Sequence, residues 1–133
     1  LVLQNAGPKS PAGMPEAGYI PIPKKLAQAG VKDMIRISDC RMSGTAFGTI
    51  ILHVTPEAAL GGAIGLVQDG DEIRLSVSNK SLELLIDDAE MEQRRLTTPA
   101  RPARPSRGYG KLYVDHVMQA DQGADFDFLM AQE

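Results

Sequence analysis

The sequence predicts a small, β-rich α/β domain, either layered or barrel-like, in which strands outnumber helices. The chain has 133 residues, of which 43% are hydrophobic and 23% are charged, so it can form a buried core. Polar and apolar side chains alternate within residues 71–77, which is the pattern of a strand with one buried face. Glycine and proline separate the apolar runs and mark turns between short elements. We therefore expect residues 1–133 to form a single domain.

Four segments are predicted to form helices, from capping signals or from the spacing of apolar residues. Residues 23–30 begin with proline and end with glycine, and residues 55–60 begin with a capping threonine followed by proline. A D-x-x-E capping box predicts a further helix over residues 87–95. Residues 109–120 place apolar side chains at helical spacing, which predicts an amphipathic helix near the end of the chain.

The remaining apolar runs are predicted as strands, because each is short, aliphatic and bounded by turn signals. They cover residues 1–3, 32–37, 50–54, 64–67, 71–77 and 81–86. Prolines and arginines are interspersed over residues 97–108, which predicts an extended arm on the surface, followed by a C-terminal helix and tail over residues 109–129. Because the chain opens directly on a strand-like run and lacks an initiator methionine, we expect it to be a piece of a longer protein; removal of the methionine or of a tag is the alternative.

Composition narrows the range of partners and compartments. The net charge of −3 is too mild to indicate a nucleic-acid partner, and no apolar run approaches the roughly 18 residues of a membrane span. The single cysteine, Cys40, excludes an internal disulfide and fits a reducing compartment. The sequence therefore predicts a cytoplasmic protein that binds neither nucleic acid nor membrane.

A polar loop between two predicted strands is the strongest candidate for a functional site. Residues 38–48 combine small and polar side chains at a strand end, where loops on a rigid scaffold often carry function. A serine base needs nearby positive charge or a metal, and Arg41 stands two residues before Ser43. The backbone N–H groups of Gly44 and Thr45 could hold an anion. The alternative is a tight polar turn that needs glycine only for its dihedral angles.

Three other residues have candidate roles that are weaker when taken singly. Glu16 lies in a glycine- and proline-rich loop and could bind a hard metal ion, although such a carboxylate is often simply solvated. His53 falls inside an apolar run, which predicts a buried core histidine. Cys40 follows a strand, which favours a buried structural thiol over a nucleophile. No cysteine spacing supports a zinc or iron–sulfur site within the chain.

Several ordered motifs resemble the C-terminal domain of the dihydroxy-acid dehydratase family, which includes phosphogluconate and sugar-acid dehydratases. They are Gly-Pro-Lys at 7–9, Gly-Met-Pro-Glu at 13–16, the run 33–48, His-Val-Thr-Pro-Glu-Ala at 53–58 with Gly-Gly at 61–62, and residues 65–73. Residues 109–129 also match. The amino-acid sequences of residues 38–48 and 119–129 resemble the sugar-acid branch of the family more than its branched-chain amino-acid branch.

The resemblance implies a fold, a reaction and a set of roles. The fold is a swivelling β/β/α domain, a small mixed-strand barrel flanked by helices. The reaction removes water from a 2,3-dihydroxy acid to give a 2-keto acid, with an iron–sulfur cluster and Mg²⁺ as cofactors. In the family, the serine that matches Ser43 is the base and the glutamate that matches Glu16 is a magnesium ligand. From their place in the loop beside Ser43, Arg41, Gly44 and Thr45 are the candidate substrate-binding residues. The cluster ligands belong to an N-terminal dehydratase domain.

Three hypotheses follow for the chain as it stands. The first is half of an iron–sulfur sugar-acid dehydratase, inactive alone and completed by the N-terminal domain, with a homo-oligomer expected. The second is a stand-alone binding or assembly module that self-associates through the apolar surface left by the missing domain. The third is an unrelated enzyme that uses Ser43 with Arg41.

Overall fold

The computed structural model describes residues 1–14, 20–98 and 104–130. Its first half contains strand β1 (Val2–Leu3), helix α1 (Lys24–Gln28), strand β2 (Arg36–Ser38) and strand β3 (Ile50–Ile51). Two 3₁₀ turns follow, Ala58–Leu60 and Ala63–Leu66. The second half contains a hairpin, β4 (Ile73–Ser76) and β5 (Ser81–Leu84), and helices α2 (Asp88–Thr97) and α3 (Gly108–His116). Short 3₁₀ turns, Ala120–Gln122 and Asp127–Leu129, lie near the end.

A three-stranded parallel sheet forms the structural centre of the domain. Strand β2 lies between β1 and β3, with Val2 opposite Ile37 and Arg36 opposite Ile50. Successive side chains on a strand point to opposite faces, so both faces of this sheet can pack against apolar groups. One apolar cluster contains Ala6, Cys40 and Met42, and the other contains Ile37, Ala58 and Ile64, each with partly buried neighbours.

The mixed α/β class is confirmed, but the described residues do not close into a barrel. The parallel sheet is separate from the antiparallel hairpin, in which Ile73 pairs with Leu84 and Ser76 with Ser81. Each of these small sheets therefore keeps open edges. Among the described residues, no helix combines the length and the apolar character needed to cross a lipid bilayer.

Several predicted strands are wrong in type or length. The strand predicted over residues 32–37 begins only at Arg36, and the one predicted over residues 71–77 is limited to Ile73–Ser76. Residues 64–67 form a 3₁₀ turn instead of a strand, because Gly65 donates its N–H to the carbonyl of Gly62 and packs tightly on Ala58. Strand β3 ends at Ile51, because His53 has a φ angle of 57° and leaves the extended conformation. Its side chain is exposed, so the prediction of a core histidine is also wrong.

The helices α1 and α2 agree well with the sequence patterns. Asp87 caps α2, since its Oδ1 accepts the N–H of Glu90 at 2.8 Å, and the helix continues to Thr97.

The predicted helix at 55–60 shrinks to the turn Ala58–Leu60, with Glu57 in the capping position. Of the predicted arm over 97–108, residues 99–103 lie outside the described residues.

Helix α3 and the tail pack on each other. The helix ends at His116, earlier than the predicted residue 120, because Val117 forms an antiparallel bridge with Phe126. The ring of Phe126 meets Tyr113 edge to face at a centroid distance of 5.8 Å and stacks on Phe128. The tail therefore docks on the helix that precedes it.

Candidate active-site loop

The loop of residues 41–49 connects β2 to β3 and is firmly anchored where it leaves β2. The Ser38 hydroxyl donates to the carbonyl of Leu3 at 2.8 Å and accepts the N–H of Cys40 at 3.0 Å. Cys40 is fully buried, which confirms it as a structural thiol, and its carbonyl accepts the N–H of His53 at 3.1 Å. Met42 packs with Cys40 in an apolar cluster. The chain is thus fixed up to the residue before Ser43.

The far end of the same loop is held by a buried arginine and an aspartate. Arg36 is completely buried and donates to the carbonyl of Phe47 at 3.3 Å and to Asp33 Oδ1 at 3.0 Å. Asp33 accepts the N–H of Thr49, and this bond, with help from Arg36, lowers the pKa of Asp33. A Cβ atom at Gly48 would lie 2.2 Å from Asp33 Oδ1, so this position requires glycine.

Ser43, Gly44 and Thr45 lie together at the tip of the loop. Ser43 Oγ is 2.9 Å from Thr45 Oγ1, and the N–H of Thr45 points at Ser43 Oγ from 3.4 Å. The Ser43 carbonyl accepts the N–H of Ala46, which closes a turn. Arg41 is exposed at the start of the loop. The structure therefore brings the predicted serine and its two neighbours into one small polar surface.

Gly44 stands out because the fold of this chain does not require it. A Cβ atom at this position would meet nothing within 4 Å, and its φ angle is not in the left-handed region. The alternative of a turn that needs glycine for its dihedral angles therefore does not apply to Gly44. Gly44 follows Ser43 in the chain, and the open space where its side chain would stand suits a ligand or a second domain.

The predicted metal ligand, Glu16, lies outside the described residues. Within the described ranges there is no group of three or more His, Cys, Asp or Glu side chains placed to hold a metal ion. Cys40, the single cysteine of the sequence, is enclosed in the core.

Sequence reasoning missed a buried polar network beneath the loop. Asp39 is 1% exposed and accepts the N–H of Ala6 through Oδ1 and the N–H of Ala58 through Oδ2, each at 3.0 Å. Glu57 is fully buried, and its Oε1 accepts the N–H of Lys9 at 2.7 Å and the Nε2 of Gln119 at 2.8 Å. The small residues that follow Glu57 in the sequence were the available signal of such close packing.

Glu57 is an unusual buried carboxylate because one of its two oxygens, Oε2, accepts no hydrogen bond from the described residues. This oxygen lies so close to Gly7 that a Cβ atom there would be 1.9 Å away. Burial raises the pKa of Glu57, and the nearby charge of Asp39 adds to the rise, while the bonds from Gln119 and Lys9 oppose it. The pKa of Tyr113 is also raised, first by burial and then by the charge of Glu57.

Replacing Glu57 by glutamine is expected to change how stability depends on pH. Because the folded-state pKa of Glu57 is raised above 4.5, folding favours the protonated carboxyl. Its contribution to stability is complete below the unfolded-state pKa and is lost as pH rises through the folded-state pKa. Glutamine cannot ionise, so the free energy of unfolding of Glu57→Gln should increase relative to wild type between about pH 4 and about pH 8 in urea titrations.

The same substitution at Glu92, exposed on α2, is the matched control, because that carboxylate is not removed from water on folding. If the free energy of unfolding of Glu57→Gln differs from that of wild type by the same amount at about pH 4 and at about pH 8, the assignment of Glu57 as a buried titrating group is contradicted.

A comparison of the whole chain with known proteins identifies its family. Residues 1–124 match the family described as dihydroxy-acid/6-phosphogluconate dehydratase, C-terminal. The chain belongs to this family. The resemblance seen in the sequence motifs is thereby confirmed, and it covers both the loop of residues 41–49 and the buried network below it.

Three relatives show how the family divides. The 6-deoxy-6-sulfo-D-gluconate dehydratase of Pseudomonas putida is 50% identical over 133 residues, covering 100% of this chain. The L-arabonate dehydratase of Azospirillum brasilense is 50% identical over 137 aligned residues, covering 98% of this chain. The mitochondrial dihydroxy-acid dehydratase of Saccharomyces cerevisiae is 39% identical over 127 residues, covering 96%. This chain spans 23%, 23% and 22% of their respective lengths.

Proposed function

We propose that this chain is the C-terminal, swivelling domain of a longer hydro-lyase that dehydrates a sugar acid to a 2-keto acid. The membership of the family supports a dehydratase, and the higher identity to relatives named for sugar acids supports the substrate class. Because the chain corresponds to about a quarter of those relatives, the proposed site is completed by the remainder of the enzyme.

The observation that carries this proposal is the Ser43 hydroxyl at the exposed tip of an anchored loop, next in the chain to Gly44, whose side-chain position is open. The loop is anchored at both ends by buried groups, yet its tip presents small polar groups that the described residues leave uncovered. A rigid loop with an accessible hydroxyl is what a positioned base requires.

In the proposed reaction the C2–H and C3–O bonds of the substrate break, water leaves, and the resulting enol becomes a 2-keto acid. Ser43 Oγ, as an alkoxide, takes the proton from C2. The hydroxyl and the N–H of Thr45 both face Ser43 Oγ and are the donors that stabilise its negative charge. Arg41 and the N–H groups of Gly44 and Thr45 are proposed to bind the substrate.

The residues of this chain do not fit an iron–sulfur cluster, because one cysteine buried in the core cannot supply the several thiolates that a cluster needs. We propose that the cluster ligands and the other magnesium ligands lie in the remainder of the enzyme, with Glu16 contributing from this chain. When bound, these cofactors supply a Lewis acid for the departing hydroxyl and a cation for the carboxylate end of the substrate.

A chimera tests the proposal. This chain replaces the matching C-terminal segment of the L-arabonate dehydratase of Azospirillum brasilense, and formation of 2-keto acid from L-arabonate is measured after anaerobic reconstitution with iron, sulfide and Mg²⁺. The parent enzyme and a version lacking the segment are the controls. Turnover above the truncated version supports the proposal. A folded, iron-loaded chimera without turnover on L-arabonate or on other aldonates would contradict it.

Glu16→Gln in the same chimera is expected to raise the Mg²⁺ concentration for half-maximal activity by on the order of tenfold or more, because a carboxylate ligand loses its charge. A magnesium titration of the rate measures the shift, with Glu92→Gln on the exposed side of α2 as the matched control. An unchanged titration curve for Glu16→Gln would remove Glu16 from the ligand set.

A further inference from the structure

We propose that Asp39 is a positioning residue, whose buried carboxylate fixes the Ser43 loop relative to the segment of residues 6–14. The inference rests on the proposed function, since it assigns to Asp39 a part in building the dehydratase site. Asp39 is four residues before Ser43, directly after β2, and in sequence the segment 6–14 leads to Glu16.

The two oxygens of Asp39 join two distant parts of the chain. Oδ1 accepts the N–H of Ala6, 33 residues earlier, and Oδ2 accepts the N–H of Ala58, 19 residues later. A carboxylate is the only side chain of this size that offers two acceptor atoms, since asparagine turns a donor toward one of these N–H groups. Both bonds are buried and one partner is charged, so each is stronger than an ordinary hydrogen bond.

The segment of residues 6–14, which Asp39 holds at Ala6, has a second buried anchor at Lys9. Glu57, next to Ala58, accepts the N–H of Lys9, so two adjacent carboxylates hold Ala6 and Lys9. Gly7 lies between them in direct contact with Glu57. The turn that begins at Glu57 is held in place by the side chain of Gln119, which donates to Glu57 Oε1 and accepts the N–H of Glu57. A displacement of Asp39 would therefore move the base of the Ser43 loop, the Glu57 turn and residues 6–9 relative to one another.

A second buried polar cluster, around Asp71, provides a control that separates an effect on the position of the Ser43 loop from an effect on stability alone. Asp71 accepts two hydrogen bonds from Arg94, which also bonds Glu90 and the carbonyl of Leu66. This cluster joins α2 to the chain before β4 and touches neither the Ser43 loop nor residues 6–14 through the hydrogen bonds described. Loss of Asp71 therefore lowers stability without displacing either segment.

The experiment compares Asp39→Asn with Asp71→Asn in the chimera, at a temperature at which both variants are folded. For Asp39→Asn we expect kcat to fall by about 10-fold to 100-fold, with a raised Mg²⁺ concentration for half-maximal activity. For Asp71→Asn we expect a lower unfolding midpoint and kcat within about twofold of wild type. Asp39→Glu, which keeps two acceptors but moves them, is expected to fold and still lose kcat. Equal kcat for the Asp39 and Asp71 variants would overturn the proposal.

Native-state hydrogen exchange of the chimera and its Asp39→Asn variant tests the same inference without any activity. The amides of Ala6 and Ala58 each donate to an oxygen of Asp39, so both are expected to exchange faster in Asp39→Asn than in the unsubstituted protein. Unchanged exchange of both amides in Asp39→Asn would overturn the shared anchor. If the unsubstituted chimera forms no keto acid, the proposed function fails, while this exchange measurement still decides whether Asp39 joins the two segments.

Discussion

Replacing Ser43 by alanine is expected to lower kcat of the chimera by about 10²-fold to 10⁴-fold, the range that a positioned general base contributes. The loss should appear equally in kcat and kcat/KM, because the proton transfer occurs only in the transition state. The fold should be unaffected. The described hydrogen bonds of the hydroxyl all involve Thr45 at an exposed loop tip, so the free energy of unfolding should change by less than about 0.5 kcal/mol.

Ser76→Ala is the matched control for this substitution. Ser76 Oγ lies 3.2 Å from the hydroxyl of Ser78 and accepts the N–H of Asn79 at 3.2 Å, which is nearly the same local pattern on the β4–β5 hairpin. We expect this variant to retain the rate of the unsubstituted chimera. A Ser43→Ala enzyme with more than about a tenth of that rate would exclude Ser43 as the base.

Replacing Gly62 by alanine is expected to have the largest effect on stability. Its Cβ would lie 1.6 Å from the carbonyl oxygen of Pro56 and 3.0 Å from that of Glu57, and both obstacles are backbone atoms. The N–H of Gly62 also bonds the carbonyl of Glu57, so the chain cannot move aside without opening this turn. We expect a loss of more than about 4 kcal/mol in urea unfolding, a large part of the total stability of a small domain.

Gly44→Ala is the control, because the same methyl group there would meet nothing within 4 Å. Its free energy of unfolding should stay within about 0.5 kcal/mol of wild type. If Gly62→Ala unfolds at the urea concentration of wild type, the close approach of Gly62 to Pro56 is not a feature of the folded protein in solution.

Local sequence signals predicted the elements that form from contiguous residues. The capping box at Asp87 predicted the start of α2, and the alternation after Asp71 predicted β4. Even there, Val77 was expected to be buried and is 84% exposed, because β4 ends at Ser76. These signals succeed because each depends on residues three or four positions apart, or on a two-residue period.

The elements that failed depend on contacts outside the local pattern. The apolar run at 64–67 is compatible with a strand or with a buried turn, and only the packing of Gly65 on Ala58 decides between them. Likewise, the positive φ of His53 has no signal in an aliphatic run that favours extended backbone.

The sequence pointed to the exposed residues of the candidate site but not to the buried carboxylates beneath them. Ser43, Gly44 and Thr45 could be found because small polar residues at a strand end form a recognisable motif, which also carries the family resemblance. The buried hydrogen bonds of Asp39 and Glu57 were missed, because their partners Ala6 and Gln119 are 33 and 62 residues away. Polar residues of that kind look like ordinary solvated carboxylates until the chain is folded.

The parallel sheet has a consequence for the order in which the domain assembles. In that sheet Val2 pairs with Ile37 and Arg36 with Ile50, whereas Ser76 and Ser81 pair across a short hairpin. Loop-closure entropy delays long-range pairing relative to hairpins and helices. The β4–β5 hairpin and α2 can therefore form early, while the half that carries Ser43 gains its shape late. Slow folding and partial unfolding should both be concentrated in the half proposed to carry the chemistry.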